Sequence, residues 1–312
     1  MTTTLSRRLL LAAAAALALS GAARAADRIE VDLSPDQPQR LRADKVQAAI
    51  DLLPKDYTFV TPGTLTVASV PGNLPFAVYA SDTKTPIGSE PDLAQLVADS
   101  LGLRLELVPV AWADWPLGLA SGRFDAAIHN ITVTEERKDK FDFSTYRNDL
   151  LGFYVAQDSK LRQIGRRQDI AGLHGSVSSG TNQEEILLRW IAENKAEGLA
   201  DTQLSYFDDP VVQDLALESG RIDFYLGPNA TSGFKAAKDG KIRVVGTLSG
   251  GFPDTAEIAV ATPKGAELAP AITAALNAQI QNGNYAKLLA HWGLAAETVP
   301  QSRTNPPGLP RK

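Results

Sequence analysis

Cysteine is absent from all 312 residues, which excludes disulfides, thiol chemistry and thiolate metal sites. Only three histidines occur, His129, His174 and His291. No two are spaced as a metal pair, so no metal and no other cofactor is expected. A Gly-x-Ser-x-Gly elbow and a phosphate loop are both missing, since Gly175-Ser176-Val177-Ser178-Ser179-Gly180 has the wrong spacing. No nucleophile has an evident base, so catalytic residues are not expected and the chain does not read as an enzyme. Basic charge is also short, with 31 Lys and Arg against 36 Asp and Glu, which argues against nucleic acid as a partner. The apolar run 9–19 falls short of the roughly 20 residues that span a bilayer.

That run follows Arg7 and Arg8 and ends in Ala23-Arg24-Ala25, the layout of a cleavable export signal. Residues 1–25 are therefore expected to be removed near Ala25, with the mature chain in the periplasm. Ser6-Arg7-Arg8-Leu9-Leu10 is similar to a twin-arginine signal, and both export routes stay open. Loss of Arg7, Arg8 and Arg24 leaves 28 basic against 36 acidic residues, a net charge near −8. With no disulfide available, stability must come from a core, and 44% hydrophobic residues can supply one. The length favours two domains.

From Thr61 onward strands and helices alternate. Thr64-Leu65-Thr66-Val67 has the period of a strand. Leu93, Leu96, Val97 and Leu101 then recur at helical spacing, opened by Pro91 and stopped by Gly102. Leu103, Leu105 and Leu107 alternate again, a helix is predicted between Trp112 and Gly122, and a strand over 124–128. This order predicts an α/β fold with mainly parallel sheets covered by helices.

Ser121-Gly122-Arg123-Phe124-Asp125 and Ser219-Gly220-Arg221-Ile222-Asp223 repeat one pattern 98 residues apart. The glycines read as helix C-caps and the aspartates as turn holders. Used twice, the device predicts two similar lobes. Ligands of open α/β sheets collect beyond the carboxyl ends of strands. His129-Asn130-Ile131-Thr132 and Gly227-Pro228-Asn229 occupy such places and should border one cleft. Residues 26–60 are polar and proline-punctuated, with Leu41, Val46, Ile50 and Leu53 able to cover apolar surface. Residues 298–312 read as a disordered tail.

Thr132-Val133-Thr134-Glu135-Glu136-Arg137 is the sharpest local feature. Thr132 or Thr134 can cap a helix starting here, placing Arg137 in a first turn where a cation is disfavoured. Such a cation wants an anion: Glu135 or Glu136 at the surface, or a ligand carboxylate gripped by the guanidinium fork.

The motifs then fall into a known order. Pro75-Phe76, Pro91-Asp92-Leu93-Ala94, Gly122-Arg123-Phe124-Asp125-Ala126, the Thr132–Arg137 stretch and Phe141-Asp142-Phe143-Ser144 resemble the first half of the periplasmic amino-acid-binding proteins of ABC importers. Gly180-Thr181-Asn182-Gln183-Glu184 with Gly220-Arg221-Ile222-Asp223 resembles their second lobe, and Asn284-Tyr285 with Trp292-Gly293 their closing helix. The resemblance implies a two-lobed periplasmic-binding-protein fold joined by two hinge strands, with lobe 1 at 61–152 plus 256–297 and lobe 2 at 153–255. It implies a monomer that captures an amino acid or related small carboxylate for a membrane permease. Arg137 would hold the carboxylate, helped by Thr132, Thr181 and Asn182, with Asn130 beside the ligand. Trp112 would form a wall, although its spacing equally suits a core residue, and His129 reads as a hydrogen-bonding wall.

Two departures stand out. Asn73-Leu74 replaces the aromatic residue that relatives often carry before Pro-Phe. Pro228 stands where relatives have the aspartate that pairs with the α-ammonium, and Asn229 offers only a neutral acceptor. A buried ammonium without a counter-charge is costly. Either the ligand is not a standard amino acid, or another acid, such as Glu90 or Asp209, takes its amine. A dehydratase-like enzyme resembling the cyclohexadienyl dehydratases, and a sensory co-receptor, are the competing readings.

Overall fold

A computed structural model of the chain describes residues 31–311; the expected signal peptide lies outside the described residues. Twelve strands among these residues form two five-stranded sheets and one two-stranded ribbon. In the first lobe, β1 (Thr64–Ser69) lies between β4 (Arg104–Pro109) and β5 (Ala126–Thr132). Next to β5 come β12 (Glu257–Pro263) and then β6 (Phe141–Asn148). In the second, the order is β11 (Ile242–Ser249), β7 (Leu150–Ala156), β10 (Phe224–Pro228), β8 (His174–Val177) and β9 (Gln203–Tyr206). The short strands β2 (Val78–Tyr79) and β3 (Pro86–Ile87) make the ribbon.

The two sheets share one plan. Three strands pair in parallel, a fourth runs against them, and a fifth pairs antiparallel to the fourth and so points with the first three. The opposing strand is β12 in the first sheet and β7 in the second, and each has just crossed from the other lobe. The crossings run from Asn148 to Leu150 and from Ser249 to Glu257. They are tied to each other where Asp149 N donates to Ala256 O at 3.0 Å and Gly250 N donates to Asp149 O at 3.0 Å.

Hydrophobic alternation places these strands. Leu151, Phe153 and Val155 of β7 face one core with Trp190 and Phe224, while Tyr154 between them faces another with Tyr225 and Ile242. That two-sided burial is what helices on both faces of a sheet require. In the first lobe Trp115, Leu119, Phe124, Phe141 and Phe143 form the core. Among the described helices, α1 is Gln47–Ile50, α2 Ser89–Ser100, α3 Trp115–Ala120, α4 Asn182–Ala196, α5 Pro210–Glu218, α6 Asn229–Asp239, α7 Leu268–Gln281 and α8 Asn284–His291.

The repeated Ser-Gly-Arg-x-Asp device works the same way in both lobes. Gly122 and Gly220 each take φ 71° as the preceding helix ends. Asp125 then accepts from Thr66 N at 2.8 Å in β1, and Asp223 from His174 N at 2.8 Å in β8. Each aspartate fastens the incoming strand to its parallel neighbour.

Two expectations are corrected. The helix foreseen after Thr134 is a single 3₁₀ turn, Arg137–Asp139, with Thr134 Oγ1 accepting from Arg137 N at 3.0 Å. The stretch expected as a disordered tail is a strap on the first lobe. Thr145 N donates to Arg303 O at 3.0 Å and Asn305 N to Phe143 O at 2.9 Å, extending the sheet past β6. Farther on, Leu309 N donates to Val133 O at 3.0 Å and Glu135 N to Leu309 O at 2.8 Å. Proline and polar residues suit such a strap because main-chain groups make the bonds that extend the sheet, while Asn305 and Arg311 add side-chain bonds to Asp142 and Asp139. Residues 32–60 also lie against the first lobe, with Ala49 fully buried, Val46 N on Ser100 O at 2.8 Å, and Arg40 paired with Asp92 at 2.7 Å.

Candidate functional site

The carboxyl end of β5 and the turn after it carry most of the expected residues. Arg137 Nη1 donates to Thr132 O at 2.8 Å, which folds the side chain back along its own turn. Its Nη2 reaches Gly180 O of the second lobe at 3.4 Å. Its guanidinium carbon lies 5.8 Å from the Trp112 ring centroid, within cation–π reach. Burial lowers the Arg137 pKa, while Glu185, Asp149 and Glu136 favour the charged form. A guanidinium so placed, half-buried between two lobes and backed by an aromatic face, is suited to an anion.

Thr132 Oγ1 donates to Asp149 Oδ2 at 3.0 Å, and Asn182 Nδ2 donates to the same oxygen at 3.0 Å and also to Gly250 O. Lobe 1, the crossover and lobe 2 therefore meet at one carboxylate. A Cβ on Gly250 would fall 2.0 Å from Asp149 Oδ2 and 2.8 Å from Asn182 Nδ2, so only glycine fits there. Burial pushes the Asp149 carboxyl above its usual range, against the pull of Arg147, Thr132, Asn182 and Arg137.

His129 packs edge-on to Phe76, with centroids 5.8 Å apart, and lies 6.2 Å from Trp112. Burial, with Arg147 beyond it, pushes its pKa down to about 3, so the ring is neutral near pH 7. Trp112 also touches core Trp115, with centroids 6.1 Å apart, and packs against that core.

Asn130 adopts φ 46° and accepts from Arg147 Nη2 through Oδ1. Arg147 is 1% exposed; it pairs with Glu297, lies 4.0 Å from Glu90 and stacks over Phe76 at 4.8 Å. Burial opposes its charge, but Glu297, Tyr146 and Glu90 together hold its pKa above the ordinary range. Sequence reading missed both Arg147 and Asp149. A charge inside a strand has no local signature, and Arg147 stands among the polar residues Ser144, Thr145, Asn148 and Asp149, so nothing in its surroundings marked it.

Other expected residues are spent locally. Thr181 caps α4, accepting from Glu184 N at 3.3 Å and donating to Ser178 O at 2.7 Å. Asn229 opens α6, and its Oδ1 accepts from Tyr154 OH at 2.9 Å inside the second lobe. Asn73 bonds through its main chain, with O accepting from Ala77 N at 3.1 Å in a half-buried turn. Asp209 caps α5 by accepting from Val211 N at 2.8 Å, and Glu90 accepts from Tyr146 OH at 2.6 Å beside Arg147. The structure thus brings Trp112, His129, Asn130, Thr132, Arg137 and Asn182 together, but not Asn229. Among the described residues no group of His, Cys, Asp or Glu could hold a metal, and no helix is long and apolar enough to cross a membrane. A surface hollow of about 350 Å³ lies elsewhere, between strap residues Pro307 to Pro310 and Asp254 to Glu257 of the second crossover. Its one guanidinium, Arg303, is paired with Glu257 at 2.8 Å.

L-cystine-binding protein TcyJ of Escherichia coli (strain K12) is 36% identical over 166 residues, 53% of this chain and 58% of that protein. The chain thus covers less than two thirds of that relative's length. Arginine-binding protein ArgT of Corynebacterium glutamicum is 27% identical over 277 residues, 87% of each. A crystal structure of a mutant ArgBP from T. maritima superposes with a TM-score of 0.64 at 25% identity, covering 78% of this chain and 99% of that one. The family model for the bacterial extracellular solute-binding proteins, family 3, matches residues 65–295, and the chain belongs to that family.

Proposed function

We propose that this chain is exported to the periplasm, loses residues 1–25 as a signal peptide, and captures an amino acid or related small carboxylate for the permease of an ABC importer. It acts as a monomer whose lobes, 61–152 plus 256–297 and 153–255, close over the ligand about the two crossovers. The observation that carries this reading is Arg137, set against Trp112 and reaching Gly180 O across the cleft. A ligand carboxylate that took the outer edge of this fork would meet both lobes, so binding and closure become one event. Relatives named for binding cystine and arginine place amino acids first among the candidates. Neither of those names is an enzyme's, so capture is preferred to turnover.

A thermal-shift screen of the mature chain against the standard amino acids and small mono- and dicarboxylates tests this. A ligand at 100 times its Kd adds about 2.7 kcal/mol, several degrees in melting temperature. At least one carboxylate should give such a shift, and its primary amide should give none. A screen in which no carboxylate shifts the transition would overturn the reading.

A further inference from the structure

Pro228 leaves the site without the acid that a bound amine requires, yet a buried carboxylate with spare capacity stands at the hinge. Asp149 is 4% exposed, and its Oδ1 is buried without a hydrogen-bond partner. Its other oxygen is fixed from two sides by Thr132 and Asn182 at 3.0 Å each, so Oδ1 is held in one orientation. A carboxylate oxygen taken out of water costs stability unless a donor meets it.

The neighbouring acids are already engaged. Glu90 accepts from Tyr146 through Oε2, and its Oε1, although it too lacks a hydrogen-bond partner, lies 4.0 Å from the Arg147 guanidinium and so already faces a cation; Glu297 pairs with Arg147, and Asp92 is shared by Arg40 and Trp292. Asp209 is a helix cap on the second lobe. Asp149 and Arg137 instead converge on a single residue: Thr132 gives its carbonyl to the guanidinium and its hydroxyl to the carboxylate. One cation and one anion so close together match the two charged ends of a zwitterion. An ammonium at Oδ1 would also offset the burial of this acid.

We propose that Asp149 takes the place of the missing aspartate: its Oδ1 accepts the ligand's α-ammonium while Arg137 holds the carboxylate, and the site selects amino acids over carboxylates without an amine. The assignment rests on the Arg137 reading above. It makes amine recognition part of the hinge, because the main chain of Asp149 bonds both Ala256 and Gly250 of the second crossover.

Calorimetric titration with matched pairs tests it: L-arginine and 5-guanidinopentanoate, L-leucine and 4-methylpentanoate, L-glutamate and glutarate. The mature chain should bind the amino acid of at least one pair more than about tenfold tighter than its des-amino partner. Asp149→Asn should lose about tenfold for that amino acid and stay within about twofold for the partner. Equal affinity within every pair that binds, measured on the wild type and so independent of whether the variant folds, overturns the assignment and leaves the Arg137 reading standing. Equal losses for both members in Asp149→Asn also overturn it, assigning Asp149 to the hinge alone. If no member of any pair binds the wild type, the assignment falls, and the Arg137 reading falls with it only when the wider carboxylate screen is also silent.

Discussion

Arg137 and Trp112 face each other, with the guanidinium carbon 5.8 Å from the indole centroid. The ring restricts where the guanidinium can swing and shields one side of it from water. Removing the ring in Trp112→Ala should weaken ligand binding by about 0.5 to 2 kcal/mol, whereas Trp112→Phe should keep most of it. Titration of both variants checks this, and equal losses would assign Trp112 to packing against Trp115 alone.

Arg147 shows how a charge survives inside a lobe. Its partners Glu297, Glu90 and Asn130 surround it at almost no exposure. Glu297→Ala should destabilise the fold by about 3 to 5 kcal/mol, because an under-compensated guanidinium remains buried. Urea unfolding measures this, and a loss below about 1 kcal/mol would contradict the pairing.

The strap predicts a second stability effect. Deleting residues 301–312 removes the main-chain bonds to Phe143, Thr145, Val133 and Glu135. At about 0.5 to 1.5 kcal/mol net for each bond, the loss should be on the order of 2 to 6 kcal/mol. Ligand affinity should fall as well, since Val133 and Glu135 belong to the turn that carries Arg137. Unchanged unfolding would return these residues to the status of a loose tail.

The alternating strands, the helices and the paired lobes were legible in the sequence because each rests on local periodicity or on the Ser-Gly-Arg-x-Asp device. Motif order pointed to Arg137, Thr132 and Asn182, which the fold brings into one neighbourhood. Asp149 and Arg147 were not legible, because their meaning depends on chain crossings: Asp149 acquires its partners only when residues 132, 182 and 250 meet. Asn229 misled in the opposite way, since its side chain is spent on Tyr154, 75 residues earlier in the chain. The strap was hidden because its sheet-extending bonds are made by main-chain groups, and the partners of its side chains, such as Asp142 for Asn305 and Asp139 for Arg311, lie more than a hundred residues back.

His129 predicts a pH effect. Its folded pKa is pushed down to about 3 from 6.5, so the unfolded chain binds the proton more readily between those values. Stability from the neutral ring is therefore full above about pH 6.5 and falls as pH drops toward 3. Glu90, Asp149 and Glu297, whose carboxyls burial raises, act in the opposite sense. The difference between wild type and His129→Gln isolates the histidine. From pH 7 to pH 5 the wild type should lose melting temperature relative to the variant, and parallel pH profiles would contradict this.

The most direct measurement is calorimetric titration of Arg137→Ala with the tightest ligand found for the wild type. Loss of the guanidinium should weaken binding by about 2 to 5 kcal/mol, more than tenfold in Kd, with the fold intact by circular dichroism. A folded variant that binds the same ligand with wild-type affinity would show that the carboxylate is held elsewhere.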